Sequence, residues 1–174
     1  MIKRELYMNR IRPFIGGELI KVMTGIRRSG KSVMLELIKE ELAEAGVAPS
    51  QMISINFEDM RYSHLQTATA LHDEIIKRAE GIEGKAYLFF DEIQEVEGWE
   101  KCVNSLRVAL DCDIYITGSN AKLLSGELAT YIGGRYVEFV IYPFSFAEFL
   151  ELYHTIAPSD SIQQCFQKYL LAGG

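Results

Sequence analysis

The stretch GIRRSGKS, residues 25–32, has glycine at its first and sixth positions, and lysine and serine follow the second glycine. This spacing of Gly, four residues, Gly, Lys and Ser/Thr is typical of a loop that binds phosphate. The glycines let the backbone bend so that successive N–H groups point at an anion, and the helix that follows adds its positive end. The predicted phosphate contacts are Gly25, Ile26, Arg27, Arg28, Ser29, Gly30, Lys31, Ser32 and Val33.

The residues on either side test this interpretation, because the motif needs a strand before it and a helix after it. Residues 19–24, LIKVMT, form a short and largely apolar segment that predicts a strand. Residues 33–45 carry apolar side chains at the spacing of an amphipathic helix. The alternative is a glycine-rich surface turn that contains a lysine, and the flanking pattern disfavours it.

Two adjacent side chains at the start of this helix have the chemistry that a nucleoside triphosphate requires. The Lys31 ammonium is placed to contact the outer phosphates, and the Ser32 hydroxyl is placed to bind Mg²⁺. Lys31 and Ser32 are therefore candidates for catalysis and for metal binding, respectively.

A second motif is the segment KAYLFFDE, residues 85–92, an apolar run that ends in two acids. Such a run is expected of a strand that is covered on both faces of a parallel sheet. After a strand of this kind, an Asp can bind Mg²⁺ or its waters, and a following Glu can orient and deprotonate a water molecule. Asp91 and Glu92 match these two roles in order, although a strand can also simply end in a solvated acid pair.

The bulk composition describes a chain of 174 residues with 48% hydrophobic residues, a net charge of −6 and a pI near 5.2. This length is enough for one well-buried domain. The acidic balance gives no general basic surface for DNA or anionic membranes, but it does not exclude a local basic patch. Three cysteines without a close-spaced pair, and the lack of a signal-peptide or membrane-spanning run, predict a soluble cytoplasmic protein with reduced thiols.

Two further features lie downstream of the acid pair. Ser119 and Asn120 follow a predicted strand at residues 112–117, where Asn120, with Ser119 second, could contact the terminal phosphate or the attacking water. An N-cap for the next helix is an equally weighted alternative. Arg135 directly precedes a predicted strand at residues 136–142 and could reach a nucleotide on a neighbouring subunit as an arginine finger, although an ordinary surface arginine is more common there.

The last part of the chain reads as two helices separated by a loop. Residues 144–153 predict a helix capped by Ser145, with Glu148 three positions later, and residues 162–171 predict the final helix. The chain then stops at Gly174 directly after an apolar segment. We interpret this end as a truncation.

Five segments together carry a resemblance to a known family: the loop at 25–32, DEIQ at 91–94, TGSN at 117–120, GRY at 134–136 and YPFSFAEF at 142–149. With them, the chain resembles the predicted ATPases of the AAA+ superfamily found in bacteria and archaea, whose longer members carry a C-terminal domain of unknown function. The resemblance covers nearly the whole chain. The phosphate loop is generic to many NTPases, whereas its combination with the last segment is specific.

The resemblance implies an α/β fold, a three-layer α/β/α sandwich of the P-loop NTPase type with a mostly parallel five-stranded sheet of order 5-1-4-3-2. It implies ATP and Mg²⁺ as ligands. It also implies these roles: phosphates and Mg²⁺ for Lys31 and Ser32, metal and water for Asp91 and Glu92, a sensor at Asn120 or Ser119, and a finger at Arg135.

Two departures from the family pattern bear on domain organisation. The helical lid of AAA+ proteins would begin near residue 145 and is mostly missing, and family members continue past Gly174. We therefore expect a P-loop ATPase core at residues 1–144 and the start of a truncated lid or C-terminal region at residues 145–174. Turnover by this fragment alone is expected to be low.

Three functions are compatible with these motifs. The first is Mg²⁺-dependent ATP hydrolysis, and the alternative is a nucleotide-dependent switch with little turnover that binds a protein or DNA partner. A small-molecule kinase is less favoured, because a kinase must keep water out, whereas Glu92 is placed to recruit it. The expected partners are ATP and either a second copy of the chain or a C-terminal domain, with no membrane.

Overall fold

The structure is a computed structural model that describes residues 2–118, 123, 132–156 and 160–172. The strands are β1 (Ile20–Thr24), β2 (Met52–Asn56), β3 (Ala86–Asp91), β4 (Cys112–Thr117) and β5 (Tyr136–Val140). The α-helices are α1 (Glu5–Ile11), α2 (Lys31–Glu44), α3 (Ala68–Ala79), α4 (Trp99–Ala109), α5 (Phe146–Ile156) and α6 (Ile162–Ala172). Short 3-10 helices cover Arg12–Phe14, Pro49–Gln51, Met60–Leu65 and Ile93–Glu95.

The strands form one sheet in the order β2-β3-β4-β1-β5, and every pairing is parallel. One row of paired residues crosses the whole sheet and consists of Ser54, Phe89, Tyr115, Lys21 and Val137. The predicted order 5-1-4-3-2 is confirmed, since it is the same order read from the other edge. Because the strands are parallel, all their carboxyl ends meet at one edge of the sheet.

Helices cover both faces of this sheet, which confirms the predicted three-layer arrangement. Alternate residues of β3 show the division, because Leu88 and Phe90 pack in the cluster that includes α3 and α4. Phe89 points the other way, into the cluster that includes α1 and α2, and stacks on Tyr115 with ring centroids 4.8 Å apart. Two covered faces explain why β3 reads as a continuous apolar run.

The helices bury the apolar faces that their spacing predicts. The buried residues of α2 include Met34, Leu37, Ile38 and Leu42, all of which pack on the sheet. Trp99, at the start of α4, is 4% exposed and packs on the other face of the sheet, in the cluster that includes α3. Among the helices in the described ranges, none has the length and hydropathy that crossing a bilayer would require.

A polar network lies within the α1 and α2 face of the sheet, at its amino edge. Asp113 pairs with Lys21, and both side chains are fully buried. The other Asp113 carboxylate oxygen accepts hydrogen bonds from Tyr115 Oη at 2.6 Å and from the Gly16 nitrogen at 2.7 Å. Burial lowers the pKa of Lys21, and Asp113 only partly offsets this effect. The network fixes the turn that leads into β1.

The C-terminal helices pack on each other as a hairpin. Phe146 of α5 meets the rings of Phe166 and Tyr169 of α6 at centroid distances of 5.0 and 5.5 Å. The predicted cap of α5 is confirmed, because Ser145 Oγ accepts from the Glu148 nitrogen at 3.3 Å while the Glu148 carboxylate accepts from the Ser145 nitrogen at 2.8 Å. The helix begins at Phe146 rather than at residue 144.

The three cysteines are free, as the sequence predicts, and all three are buried. Burial raises the pKa of Cys102 to about 12 and that of Cys112 to about 11. The Cys102 and Cys112 thiols therefore remain protonated near neutral pH and act as small core residues.

Candidate functional site

The loop at residues 25–32 joins β1 to α2 at the carboxyl edge of the sheet. Its first glycine is required by both space and backbone geometry. Gly25 has φ +148°, and a Cβ built there would lie 2.2 Å from the Ile141 carbonyl oxygen. Ile141 cannot easily retreat, since its nitrogen donates to the Thr24 carbonyl at 2.7 Å. The loop therefore starts against the backbone that follows β5.

The second glycine prepares the start of α2 for an anion. Gly30 is the N-cap of α2 with φ +93°, and no described side chain caps the helix there. The first N–H groups of an uncapped helix remain available, and the helix dipole favours negative charge at this end. The start of α2 is thus suited to bind phosphate.

Lys31 is a buried cation whose oxygen contacts are all long. The side chain is 5% exposed, and its ammonium lies 3.4 Å from the Gly25 carbonyl oxygen, 3.3 Å from that of Ile26 and 3.6 Å from Glu92 Oε1. Good charged hydrogen bonds are shorter, near about 2.7–2.9 Å. A buried charge with only such contacts fits a site completed by the anionic oxygens of a phosphate ligand.

The two acids lie at the end of β3, where a threonine of the neighbouring strand β4 holds them. Thr117 Oγ1 donates to Asp91 Oδ1 at 2.5 Å and accepts from the Glu92 nitrogen at 2.9 Å. Asp91 is 7% exposed, and Thr117 is fully buried. One hydroxyl thus fixes the carboxylate of the first acid and the backbone of the second.

Glu92 turns away from the direction of β3, because its backbone is left-handed, with φ +55°. Its Oε2 accepts a hydrogen bond of 2.5 Å from Gln94 Nε2, while its Oε1 faces Lys31. Gln94 Oε1 is buried without a hydrogen-bond partner among the described residues. A Cβ at Gly118 would come within 2.2 Å of that same oxygen. The turn and Gln94 together aim the Glu92 carboxylate at the phosphate loop.

An open cleft of about 410 Å³ lies beside the phosphate loop and Glu92. Its lining residues are Arg27, Arg28, Gly30, Lys31, Ser32, Val33, Glu58 and Glu92. Three cations and two carboxylates therefore share the surface, in a chain whose net charge is −6. The positive charge beside the loop suits a polyphosphate.

Ser32 lines the cleft and Asp91 lies at the end of β3, and both carry the oxygen donors that a magnesium ion prefers. The described residues contain no group of three or more His, Cys, Asp or Glu side chains that could hold a metal on their own. Mg²⁺ needs no such group, because it commonly binds one or two protein oxygens together with substrate phosphates and water. The donors present therefore fit Mg²⁺ delivered with a nucleotide.

The structure does not bring every predicted site residue to this cleft. Asn120 and its alternative Ser119 lie outside the described residues. Arg135 precedes β5 and lies at the amino edge of the sheet, opposite the phosphate loop, where its carbonyl accepts from the Ile20 nitrogen at 2.9 Å. Its exposed guanidinium contacts Asn104 Oδ1 at 3.4 Å. Within one chain, Arg135 does not reach the loop, so its predicted role requires a second copy.

Sequence reasoning missed two residues of the site. Thr117 is the polar last residue of β4, directly after Ile114, Tyr115 and Ile116, and that position next to β3 was the available signal. Arg4 contacts the loop from the N-terminal segment, donating to the Ser29 carbonyl oxygen at 2.8 Å. Nothing in the local sequence distinguishes Arg4 from an exposed arginine.

A parallel sheet of this order, with a GxxxxGKS loop after β1 and an acid pair after β3, defines a P-loop NTPase domain of the AAA+ type. The chain belongs to the AAA domain family, whose profile matches residues 18–150. The AAA+ resemblance inferred from the motifs is thus confirmed. Domains of this family are nucleotide-binding modules.

Several individual proteins are similar to this chain in sequence or in fold. The chain is 44% identical over its full 174 residues to an uncharacterized protein of Haemophilus influenzae, and it spans 44% of that relative's length. Its fold is similar to that of the Aeropyrum pernix Orc1 protein in complex with DNA, with a TM-score of 0.61, 18% identity, and coverage of 91% of this chain and 50% of the other. It is also similar to AMPPCP-bound DnaA from Aquifex aeolicus, with a TM-score of 0.54, 15% identity, and coverage of 90% and 50%.

Proposed function

We propose that this domain binds ATP with Mg²⁺ and hydrolyses it to ADP and phosphate. The observation that carries the proposal is the 3.6 Å separation of Lys31 Nζ and Glu92 Oε1. It places the candidate water-activating carboxylate beside the lysine of the phosphate loop. An acid so close to the phosphate site suits hydrolysis better than transfer to another acceptor.

Each part of the site has a separate role in the proposed hydrolysis. The backbone of residues 25–32 and the start of α2 hold the phosphates, and Lys31 neutralises charge on the outer ones. Glu92 orients a water molecule and accepts its proton as the water oxygen attacks the terminal phosphorus, and the bond from that phosphorus to the bridging oxygen breaks. Ser32 and Asp91 would hold Mg²⁺, which would neutralise charge on the phosphate oxygens.

The proposal also covers the roles of two further residues, the domain division and the compartment. Asn120 contacts the terminal phosphate or the attacking water, and Arg135 acts on the nucleotide of a neighbouring copy, so full activity needs a homo-oligomer. Residues 1–144 form the ATPase core, and residues 145–174 begin the lid or C-terminal region. The free thiols support a reducing compartment such as the cytoplasm.

The test combines steady-state phosphate release with calorimetric binding of Mg-ATP. Wild type is expected to bind and hydrolyse ATP, and Glu92→Gln is expected to bind it but lose at least about 100-fold in turnover. Lys31→Ala is expected to keep the fold and lose about 100-fold in affinity, because about 3 kcal/mol of charged hydrogen bonding is removed. Glu74→Gln and Lys39→Ala, in surface ion pairs of α3 and α2, are the matched controls.

Two outcomes would contradict the proposal in different ways. If wild type and Glu92→Gln both bound ATP tightly and both showed near-zero turnover, the function would be the nucleotide-dependent switch rather than hydrolysis. If Lys31→Ala bound Mg-ATP as tightly as wild type, the assignment of the nucleotide site would itself be wrong.

A further inference from the structure

Arg4 is a fully buried arginine in a segment that otherwise reads as an ordinary N-terminus. Its side chain has no exposed surface, and the residue as a whole is 2% exposed. Burying a guanidinium is strongly unfavourable unless its donors are paired. The location of those partners therefore indicates what the residue does.

The guanidinium of Arg4 joins three separate parts of the chain. Nη1 donates to the Ser29 carbonyl oxygen of the phosphate loop at 2.8 Å. Nη2 donates to the Tyr142 carbonyl oxygen after β5 at 2.8 Å, and Nε donates to Glu148 Oε1 of α5 at 2.8 Å. A Cβ at Gly30 would lie only 3.0 Å from Nη1, so the loop and the arginine are in close contact.

Two aromatic rings hold the guanidinium plane in place. Its central carbon lies 4.6 Å from the Tyr7 ring centroid and 5.0 Å from that of Phe144. The planar fork of arginine matches three acceptors and two rings at once, whereas a lysine ammonium cannot. The site is built for arginine.

The backbone of Arg4 gives an independent indication of function. Among the described residues, the positive-φ positions other than glycine are Arg4, Arg28 and Glu92. Arg28 and Glu92 line the nucleotide cleft, and the Arg4 side chain touches the phosphate loop. Such strained conformations, worth about 1–3 kcal/mol each, concentrate at functional sites.

Glu148 connects this cluster to the start of α5. Its carboxylate accepts from Arg4 and also from the Ser145 nitrogen and hydroxyl at 2.8 and 2.9 Å, which forms the cap of the helix. The first turn of α5 is therefore tied to the phosphate loop through a single guanidinium.

We propose that Arg4 is a positioning residue that couples nucleotide occupancy of the phosphate loop to the position of α5. The inference rests on the proposed ATP binding. A ligand that orders the loop around Ser29 holds the guanidinium, and the guanidinium then holds Glu148 and the first turn of α5. Coupling of this kind is reciprocal, so loosening α5 from Arg4 also weakens the nucleotide.

The test measures hydrogen exchange of the full chain with and without Mg²⁺ and a non-hydrolysable ATP analogue. In wild type, the analogue is expected to slow exchange in two segments, residues 25–32 and residues 146–156. Glu148→Gln keeps a capping side chain, since glutamine also serves in this cap, but removes the charge that Arg4 binds. Arg4→Lys leaves the cap of α5 intact and replaces the planar guanidinium with an ammonium. Glu74→Gln and Arg78→Lys make the same two substitutions in a more exposed Glu–Arg pair on α3 and are the matched controls.

In both test variants the analogue is expected to protect residues 25–32 while its effect on residues 146–156 falls by at least half. Affinity for the analogue is expected to fall about 5-fold to 10-fold, within the usual range of coupling between sites. The controls are expected to stay within about twofold of wild type, the difference that a surface ion pair accounts for. The readout that a purely structural role would not change is the ligand-dependent part of the exchange in residues 146–156, compared within each variant while residues 25–32 stay protected.

Two results would overturn the inference alone. One is a wild type that binds the analogue without slower exchange in residues 146–156, and the other is wild-type coupling in both test variants. A wild type that does not bind the analogue would instead overturn the proposed function and this inference together.

Discussion

The Thr117 hydroxyl donates a 2.5 Å hydrogen bond to Asp91 Oδ1, across the boundary between β4 and β3. The same oxygen accepts from the Glu92 nitrogen at 2.9 Å. Replacing Thr117 with valine keeps the shape of the side chain and removes both bonds. We expect ATP turnover to fall about 10-fold to 100-fold, as when supporting contacts of a metal ligand are removed. The measurement is steady-state phosphate release.

Thr117→Ser is the control for that prediction, because it keeps the hydroxyl and loses only a methyl group. Its turnover is expected to stay within about threefold of wild type. If serine and valine were equally impaired, packing rather than the hydrogen bonds would explain the effect.

The backbone at Gly25 predicts a large and specific loss of stability. Gly25→Ala combines a positive φ with a Cβ 2.2 Å from the Ile141 carbonyl oxygen. We expect a loss of about 3 kcal/mol or more in the free energy of unfolding, measured by urea denaturation. Gly46→Ala, with φ +92° and nothing within 4 Å of the added Cβ, should lose only about 1 kcal/mol. Equal losses at the two sites would show that the loop can move away from Ile141.

The buried pair of Lys21 and Asp113 predicts a contrast with a surface pair. Lys21→Met leaves Asp113 buried without its cation, so we expect a loss of about 3–5 kcal/mol. That corresponds to a melting midpoint lower by about 10 °C in a chain of this size. Lys85→Met breaks the exposed pair with Asp111 and should cost less than about 1 kcal/mol. Similar midpoints for the two variants would contradict this account.

The pH dependence of stability can be assigned to Glu148 by comparison with Glu148→Gln. Burial would raise the pKa of Glu148, but hydrogen bonds from Arg4 and Ser145 outweigh it and hold the pKa below its ordinary value of 4.5. The folded state therefore binds fewer protons than the unfolded state, and the stabilisation is present above pH 4.5. It is lost as the pH falls through the folded-state pKa.

We expect wild type to be more stable than Glu148→Gln at pH 7, with a difference that shrinks progressively below pH 4.5. Urea denaturation of both proteins at several pH values measures it. If the difference in stability stayed constant down to pH 3, the charge of Glu148 would not be its cause.

Much of the fold could be predicted from local patterns. The spacing at residues 25–32 requires a strand, a turn and a helix. The apolar run before Asp91 predicts a strand inside a parallel sheet, and the family resemblance implies the order of the strands. The cap at Ser145 and Glu148 was also visible, because a capping box lies within four consecutive residues. Some element ends differ from the prediction: the last strand ends at Val140 rather than at residue 142, since regular pairing stops shortly before Pro143.

The candidate site was predictable only in part. Lys31, Asp91 and Glu92 follow from motifs, and parallel strand ends bring them to one edge of the sheet. Thr117 and Arg4 could not be assigned, because their roles depend on partners that are distant in the sequence. Arg4 and Glu148 are 144 positions apart, and no local pattern encodes that contact.

The sequence by itself determined the phosphate loop and the acid pair, because glycine geometry and the periods of strands and helices act over a few neighbouring residues. The layered sheet and its strand order were implied by the family resemblance. Only the tertiary structure decided which side chains support the loop and the acid pair. Three features depend on the lateral order and register of the strands. They are the close approach of Lys31 to Glu92, the hydrogen bonds of Thr117 to the acid pair, and the burial of Arg4. The physical reason is that a buried charge or hydroxyl is stable only where distant segments supply its partners.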